Sequence, residues 1–378
     1  MGIAGREMFN YFLVDRQPLP YNYLPYGNSS ERAIEIPIAL RFLLEEEAGV
    51  REPFLEIGNV LANYRSLLDP YPALANRLVL DKFEEAPGVM NVDLFDYADK
   101  HALIVCLSTV EHVGQHAYGE SKSGDVEAPL RAIRRIYNLL EPGGTALVTV
   151  PFGKLMDMGW LIQFSDDYLS LLTTAYGLPT ESLGATYFRK LDMDMHLNNP
   201  RQCWIQCDKA DLAETMFDSP FLFANGIAVL RIRKIGKDLT GEPLPHEPLR
   251  YMPAPIVPNA YFAPFVRPSG FDKDGYFAAG RPGYVLYGPS LTLAPGRYAL
   301  RAEIEIDGHG EFTLEVTSER GRRLLWNHPV TRTERLDAGF AVEKEEPHAE
   351  IRLYKHNASP CRVRLPSLLL TEDQPPTA

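Results

Sequence analysis

The stretch Phe54-Leu55-Glu56-Ile57-Gly58-Asn59-Val60-Leu61-Ala62-Asn63-Tyr64 decides how this chain of 378 residues is read. Its first half is a short apolar run, the length of a strand buried on both faces. The run ends in Glu56-Ile57-Gly58, where Gly58 lets the backbone turn sharply and pass close to a ligand. The second half reads as the start of a helix. The alternation continues outward from there. Residues 77–81, 102–106 and 146–150 are further apolar runs ending in polar or small residues. Between the last two, residues 127–140 carry Leu130, Ile133, Ile136, Tyr137 and Leu140 at helical spacing, and Pro142-Gly143-Gly144 is expected to end that helix and turn the chain into the next strand. Strands alternating with helices imply right-handed crossovers and a mostly parallel, Rossmann-like α/β sheet, whose ligands lie beyond the carboxyl ends of the strands.

A helix is also expected before the first strand. Asn28-Ser29-Ser30 offers capping oxygens, and Glu31-Arg32-Ala33-Ile34-Glu35 opens a pattern that runs to about residue 47. Pro37 removes one internal hydrogen bond, so a kink or restart is expected there.

The strand ends carry acids. A dinucleotide site would want Gly-x-Gly-x-x-Gly, but Gly58 is followed by no further glycine up to Tyr64, with Val60 and Ala62 in the stretch where they might stand. Glu56, two residues before Gly58, would repel a phosphate and suit a ligand bearing an ammonium or sulfonium group. The second strand ends in Asp81, placed to accept hydrogen bonds from both hydroxyls of a ribose, with Lys82 beside it. The third segment, Gly88-Val89-Met90-Asn91-Val92-Asp93, ends in an acid that could accept from an exocyclic adenine amino group. The fourth is followed by Ser108-Thr109-Val110-Glu111-His112-Val113-Gly114, a polar run at the same edge. Asn59, Lys82 and Ser108 join Glu56, Gly58, Asp81 and Asp93 as candidate cofactor-binding residues.

In this order, these segments resemble the class I S-adenosylmethionine-dependent methyltransferases. The resemblance covers roughly residues 28–235. It implies that Glu56 and Gly58 lie under the methionine part of the cofactor, Asp81 at the ribose and Asp93 at the adenine. The forms Glu56-Ile57-Gly58-Asn59-Val60-Leu61, Ser108-Thr109-Val110-Glu111-His112-Val113-Gly114 and Glu31-Arg32-Ala33-Ile34-Glu35 are similar to bacterial methyltransferases of surface-polysaccharide and sugar modification. The sequence departs from the family in lacking the second and third glycines.

Methyl transfer to oxygen or nitrogen needs an acceptor held in line in a dry site, and a hydroxyl acceptor gains from a general base. His112 is the first candidate for that base, with Glu111 beside it and His116 four residues on. Asp192-Met193-Asp194-Met195-His196 places oxygen and nitrogen atoms on one strand face, but nothing supplies further ligands, and no metal is expected. Cys203 and Cys207 have the wrong spacing for a zinc knuckle. With Cys106 and Cys361 they make four thiols in all, which read as unpaired residues of a reducing, cytoplasmic compartment. His101 is expected at the surface. The aromatic N-terminal stretch (Phe9, Tyr11, Phe12, Tyr21, Tyr23, Tyr26) reads either as a lid over the cofactor or as a segment packed on the sheet edge.

The chain changes character after residue 235. Eleven prolines fall between Pro243 and Pro295. A linker is expected at 236–250, a β-sandwich at 251–371, and a frayed tail at 372–378. In residues 298–306 and 312–316 apolar and polar side chains alternate, as in half-buried antiparallel strands. The segments Gly283-Tyr284-Val285-Leu286-Tyr287-Gly288-Pro289 and Leu293-Ala294-Pro295-Gly296-Arg297-Tyr298 look like sandwich modules appended to glycan-modifying enzymes. Tyr276, Tyr284, Tyr287 or Trp326 could stack on sugars, or serve core packing or a homo-oligomer contact.

Charge narrows the partners. The net charge is −12, and residues 1–240 hold 22 Lys and Arg against 32 Asp and Glu, whereas residues 241–378 hold 16 against 18. An acidic chain without a basic run is a poor fit to nucleic acid, and no apolar run is long enough to span a membrane. The expected function is therefore an S-adenosylmethionine-dependent methyltransferase acting on a hydroxyl of a sugar, nucleotide-sugar or surface glycan. Two other readings stay open: a glycan-binding or scaffolding protein with a degenerate methyltransferase domain, and an NAD-dependent sugar oxidoreductase, which Glu56 and the single glycine oppose.

Overall fold

The computed structural model describes residues 9–24, 30–46, 53–71, 74, 77–115, 117, 125–194, 201–219, 221–253 and 276–372. Tyr26, Asn28, Ser29, His116, Met195, His196 and the tail beyond residue 372 lie outside the described residues. The chain divides into two compact units, one of Met1–Phe217 and Phe221–Met252, the other of Asp218–Pro220 and Pro253–Ala378.

The first unit opens with a hairpin of β1 (Tyr11–Val14) and β2 (Gln17–Pro20), then helix α1 (Arg32–Glu46). The strands β3 (Phe54–Ile57), β4 (Arg77–Leu80), β5 (Val89–Met90), β6 (His101–Leu107) and β7 (Leu140–Pro151) follow. A short hairpin of β8 (Met156–Asp157) and β9 (Ile162–Gln163) leads to β10 (Leu183–Asp194), β11 (Arg201–Cys207) and β12 (Gly226–Arg233). Eight of these strands form one sheet in the order β11-β10-β12-β7-β6-β3-β4-β5. The pairs from β5 through β7 are parallel, and β12, β10 and β11 add antiparallel strands on the β7 side. The chain leaves β3 in one direction to β4 and β5, then returns on its other side to β6 and β7. The switch point therefore lies between β3 and β6, where the two following segments part and open a crevice.

Both faces of the sheet are covered, which is why β3 and β6 are apolar at almost every position. Leu55, Ile57, Ile104 and Cys106 pack on one face with Leu130, Ile133 and Ile136 of α3 (Ala128–Leu139). Phe54, Leu103, Val105 and Leu107 pack on the other with Ala33, Ile34, Phe42 and Leu43 of α1. Successive residues of one strand thus feed opposite layers. Among the described residues the other α-helices of this unit are a single turn, α2 (Arg65–Leu68), and α4 (Asp166–Thr174).

Two local expectations need correction. Helix α1 runs through Pro37 without a break. Proline cannot donate to the carbonyl of Ala33, and that carbonyl instead accepts the Asn22 N–H at 2.9 Å, so the lost bond is replaced by a tertiary one. Pro142-Gly143-Gly144 follows the end of α3 as expected, but as an irregularity in the ladder and not a separate turn: residues 141–144 lie between Leu140, paired with His101, and Thr145, paired with Leu103, with Gly143 at φ +83°. It lies inside β7, with Gly143 N–H on Lys234 O and Lys234 N–H on Gly144 O, each at 2.9 Å. A Cβ on Gly144 would lie 2.9 Å from the Ala102 carbonyl of the neighbouring strand, which explains the small residue there.

The N-terminal hairpin covers the sheet edge. The Tyr21 hydroxyl accepts the Trp204 N–H at 2.7 Å, and Asp15 and Gln206 exchange two hydrogen bonds, so β11 is not left as an open edge. Of the two readings of the aromatic stretch, its described residues follow the edge-packed one. His101 is 7% exposed rather than at the surface, because Tyr97 stacks on its ring and the Tyr97 hydroxyl lies 2.7 Å from Nε2. The segment expected as a linker is laid along the first unit. Leu239, Leu249 and Tyr251 pack against its core, and Asn138 exchanges two hydrogen bonds with Leu239.

The second unit is a β-sandwich. One four-stranded sheet has the order Phe277–Ala279, Cys361–Glu372, Gly296–Gly308, Glu334–Val342; the other has Gly283–Leu293, Glu346–Lys355, Phe312–Ser318, Arg323–Val330. Leu300, Ile304, Leu314, Ile351 and Leu353 are among the residues that fill the space between them. Among the described residues no helix is long and apolar enough to cross a membrane.

Candidate active site

A cleft of about 790 Å³ opens at the carboxyl ends of β3, β4 and β6, at the switch point. Gly58, Asn59, Asp81, Lys82, Asp93, Ser108 and His112 all line it. These residues span more than fifty positions of sequence and meet because parallel strands end on the same side.

Gly58 is at φ +81°, and a Cβ on it would fall 2.4 Å from Thr109 Oγ1, so this backbone passes within contact of the segment after β6. Asn59 follows, its Nδ2 donating to Glu84 Oε1 at 2.6 Å and its buried Oδ1 without a hydrogen-bond partner among the described residues. The chain then forms a 3₁₀ turn over Val60–Tyr64 and the single turn α2. No extended helix points its N-terminus at the cleft here, which is the feature a pyrophosphate would use.

Glu56 sits behind the cleft wall and not in it. Its side chain is 1% exposed; Oε1 accepts the Leu61 N–H at 2.6 Å, and Oε2 pairs with Arg77 of β4. Burial pushes its pKa up to about 7, against the pull of Arg77. The carboxylate braces the turn that carries Gly58 and Asn59 and is not presented to a ligand.

At the far end, Asp81 Oδ1 accepts the N–H groups of Phe83 and Glu84 at 2.9 and 2.8 Å. Lys82 pairs with Asp93 Oδ2 at 3.0 Å, while Asp93 Oδ1 accepts the Phe95 N–H at 2.9 Å. Asp93 is thus already engaged on both oxygens. Phe83, Val92 and Phe95 line this part of the cleft, each about two-fifths exposed: 40%, 38% and 42%. Exposed apolar side chains lining a cleft mark a place for a flat apolar ligand.

At the end of β6, Ser108 holds φ at +38°, a backbone conformation that side-chain-bearing residues seldom adopt. Its N–H donates to Thr149 Oγ1 at 3.0 Å, and its hydroxyl donates to Glu35 Oε1 at 2.6 Å. Glu35 comes from α1, is fully buried, and pairs with Arg32, which lines the cleft. Burial raises the Glu35 pKa despite that pairing.

His112 Nδ1 lies 2.8 Å from the carbonyl oxygen of Trp160, and the imidazole stacks on the Trp160 ring at 5.2 Å. A carbonyl only accepts, so in the neutral ring Nδ1 carries the proton and the lone pair is on Nε2. Burial lowers the His112 pKa. Glu111 Oε1 is 4.0 Å from Nε2, yet Glu111 is 2% exposed and does not line the cleft. Burial holds its pKa well above the usual carboxylate range, and its Oε2 has no hydrogen-bond partner among the described residues.

Sequence reasoning missed the parts of the site that come from outside the strand ends. Arg32 and Glu35 lay in a segment noted for its helical pattern and its resemblance, and Tyr64, which also lines the cleft, lay in the opening stretch, but no spacing tied them to this site. Phe83 and Phe95, each two residues after an acid, had a local signal. Trp160 had none, since its contact with His112 crosses 48 residues. Among the described residues no group of three or more His, Cys, Asp or Glu side chains is arranged to hold a metal ion, and the four cysteines are free thiols.

No family model matches the chain, and no curated protein sequence matches it. Solved structures align to part of it. The N-methyltransferase NodS from Bradyrhizobium japonicum WM9, crystallised with S-adenosyl-L-homocysteine, is 17% identical over 52% of this chain and 84% of its own, with a TM-score of 0.28. A SAM-dependent methyltransferase from Archaeoglobus fulgidus is 14% identical over 52% of this chain and 92% of its own, with a TM-score of 0.32. A family 16 carbohydrate-binding module is 14% identical over 26% of this chain and 74% of its own, with a TM-score of 0.20.

Proposed function

We propose that the first unit is an S-adenosylmethionine-dependent methyltransferase whose acceptor is a hydroxyl of a sugar, nucleotide-sugar or surface glycan. The observation that carries this reading is the meeting of Gly58, Asn59, Asp81, Ser108 and His112 on one cleft at the sheet's switch point. The residues fit the cofactor. Gly58 allows close backbone approach, and the orphaned Asn59 Oδ1 offers an acceptor to an ammonium group. Asp81 offers a carboxylate to ribose hydroxyls, and Phe83, Val92 and Phe95 offer apolar faces to a purine. When bound there, S-adenosylmethionine supplies a methyl group already activated by its sulfonium.

The rest of the work falls to the chain. The acceptor hydroxyl is held beside His112, whose Nε2 takes the proton as the oxygen attacks. The Trp160 carbonyl fixes the tautomer that leaves Nε2 basic, and the lowered pKa keeps the ring neutral at pH 7. The Trp160 ring covers the imidazole and limits water around it. Ser108, with its proton committed to Glu35, presents lone pairs to the cleft and can accept a second hydroxyl of the acceptor. Glu56 and Glu111 act from behind the wall, the first on the Gly58 turn and the second beside the imidazole.

Calorimetric titration with S-adenosylhomocysteine tests the cofactor site: heat with one-to-one stoichiometry is expected, and its absence removes the proposal. Transfer of labelled methyl from S-adenosylmethionine to sugar acceptors tests the chemistry, and binding without turnover on any of them would favour the degenerate-domain reading.

A further inference from the structure

The two outward sheet faces of the sandwich are built differently. On the sheet containing Gly296–Gly308, charged side chains from neighbouring strands pair off: Arg301 with Asp337 at 3.1 Å, Arg335 with Glu303 at 3.1 Å, Arg362 with Asp307 at 3.2 Å and Arg364 with Glu305 at 2.8 Å. Tyr276 is held on this face between the guanidinium groups of Arg362 and Arg364. Such a ladder satisfies itself in water and leaves little for a ligand.

The sheet containing Gly283–Leu293 carries exposed aromatic rings instead. Tyr284 and Tyr287 are 43% and 47% exposed. Residues three apart on a regular strand point to opposite faces. Here the register shifts between Tyr284 and Leu286, and Val285 and Leu286 are both buried. The extra residue brings both tyrosines to the outer face, with ring centroids 6.3 Å apart and planes at 68°. Bulges of this kind re-aim side chains and accumulate at binding sites. The tyrosines do not stand alone. Tyr354 on the adjacent strand packs edge-on against Tyr284 at 4.9 Å, and Arg352 Nη1 donates to the Tyr284 hydroxyl at 3.3 Å. On the next strand, Thr313 Oγ1 lies 2.7 Å from His356 Nε2.

We propose that this face, centred on Tyr284 and Tyr287, binds a neutral glycan chain. A pyranose ring has an apolar face of C–H bonds and a rim of hydroxyls, so it matches exposed aromatic rings set among hydrogen-bonding groups. Charge selects the neutral form. Among the described groups named on this face, the guanidinium of Arg352 is already paired with Glu350 at 2.5 Å and lies 3.9 Å from Glu315. Two carboxylates on one cation leave no positive charge for uronate, sulfate or phosphate groups. The inference stands apart from the methyl-transfer reading, because it concerns other residues and needs no cofactor.

Affinity gel electrophoresis of the full chain, without cofactor, tests it. The probes are three neutral polysaccharides (a mixed-linkage β-glucan, a galactan and a mannan) and two anionic ones (polygalacturonate and heparin). Retardation by at least one neutral probe and by neither anionic one is expected. Tyr284→Ala and Tyr287→Ala are each expected to weaken that binding by about tenfold or more, as truncation of an aromatic anchor does. Tyr287→Phe, which keeps the ring, is expected to retain most of it. Circular dichroism and the melting temperature of the same variants report whether they fold. The proposal is overturned if no neutral probe retards the protein, if only anionic probes do, or if folded alanine variants bind as well as the parent. It is also overturned if the alanine variants instead change the oligomeric state without any glycan binding, which would assign the face to a second copy.

Discussion

The carbonyl oxygen of Trp160 stands 2.8 Å from Nδ1 of His112, and through it a residue with no sequence signal sets the protonation of the candidate base. This relationship makes His112 more than a histidine near a cleft. It assigns the proton to Nδ1, leaves Nε2 as the acceptor and holds the ring in one orientation.

His112→Ala is expected to lower the methyl-transfer rate by about 10²–10⁴-fold, the range for loss of a general base, with little change in S-adenosylhomocysteine affinity. The acid limb of the wild-type rate profile should fall at a pKa below the ordinary imidazole value of 6.5, because burial lowers it. The rate should therefore rise with pH up to that point and be level by neutrality. A limb above 6.5, or a fully active His112→Ala, would exclude His112 as the base.

Gly58→Ala places a methyl group 2.4 Å from Thr109 Oγ1, at a φ of +81°. Thr109 cannot readily swing aside, since its hydroxyl donates to Leu107 O at 3.0 Å. Strain of this sort costs about 1–3 kcal/mol. The melting temperature should fall, and calorimetry should show S-adenosylhomocysteine binding weakened more than the loss of stability explains.

Asp81→Asn keeps Oδ1, which accepts the two turn N–H groups, and removes the carboxylate charge. The fold should persist, with a melting temperature close to wild type. Affinity for S-adenosylhomocysteine should drop by about tenfold, equivalent to about 1.4 kcal/mol for the weakened ribose contact. An unchanged affinity would remove Asp81 from the cofactor site.

Glu56 provides a stability test independent of ligands. Its pKa rises from 4.5 to about 7 on folding. Across that window the folded state binds more protons than the unfolded one, so stability is fully present below 4.5 and declines as pH rises to about 7. The full loss would be about 3 kcal/mol at most. Buried Glu35 and Glu111 shift in the same direction. In Glu56→Gln the decline between pH 4.5 and 7 should be shallower than in the parent, as read by denaturant titration at several pH values. Parallel curves would show that Glu56 ionises normally.

Much of the first unit was legible because burial on both faces leaves a strong trace. The runs that became β3, β4, β6 and the core of β7 are apolar without alternation, and residues at their ends lie on one side of a parallel sheet by necessity. That logic brought Gly58, Asp81, Asp93, Ser108 and His112 to the cleft. The same logic misjudged Glu56, since a strand-end position does not say whether a carboxylate faces the ligand or the neighbouring strand. Arg77 beside it decided that. Local chemistry misled at Pro37 and at Pro142-Gly143-Gly144 for a related reason. Each proline was read against its own helix or turn, whereas Asn22 and Lys234, distant in sequence, complete the hydrogen bonds.

The amino-acid sequence by itself determined the layered α/β unit, the antiparallel unit after it and the set of polar residues at the strand ends, because periodicity and turn chemistry are local properties. Only the tertiary structure decided what those residues can do. It closed Ser108 onto Glu35, turned Glu56 and Glu111 inward, set Trp160 on His112 and used one bulge to bring Tyr284 and Tyr287 to a common face. Each outcome depends on contacts between segments far apart in the chain, and on the burial that shifts a proton or exposes a ring. No spacing along the sequence encodes them.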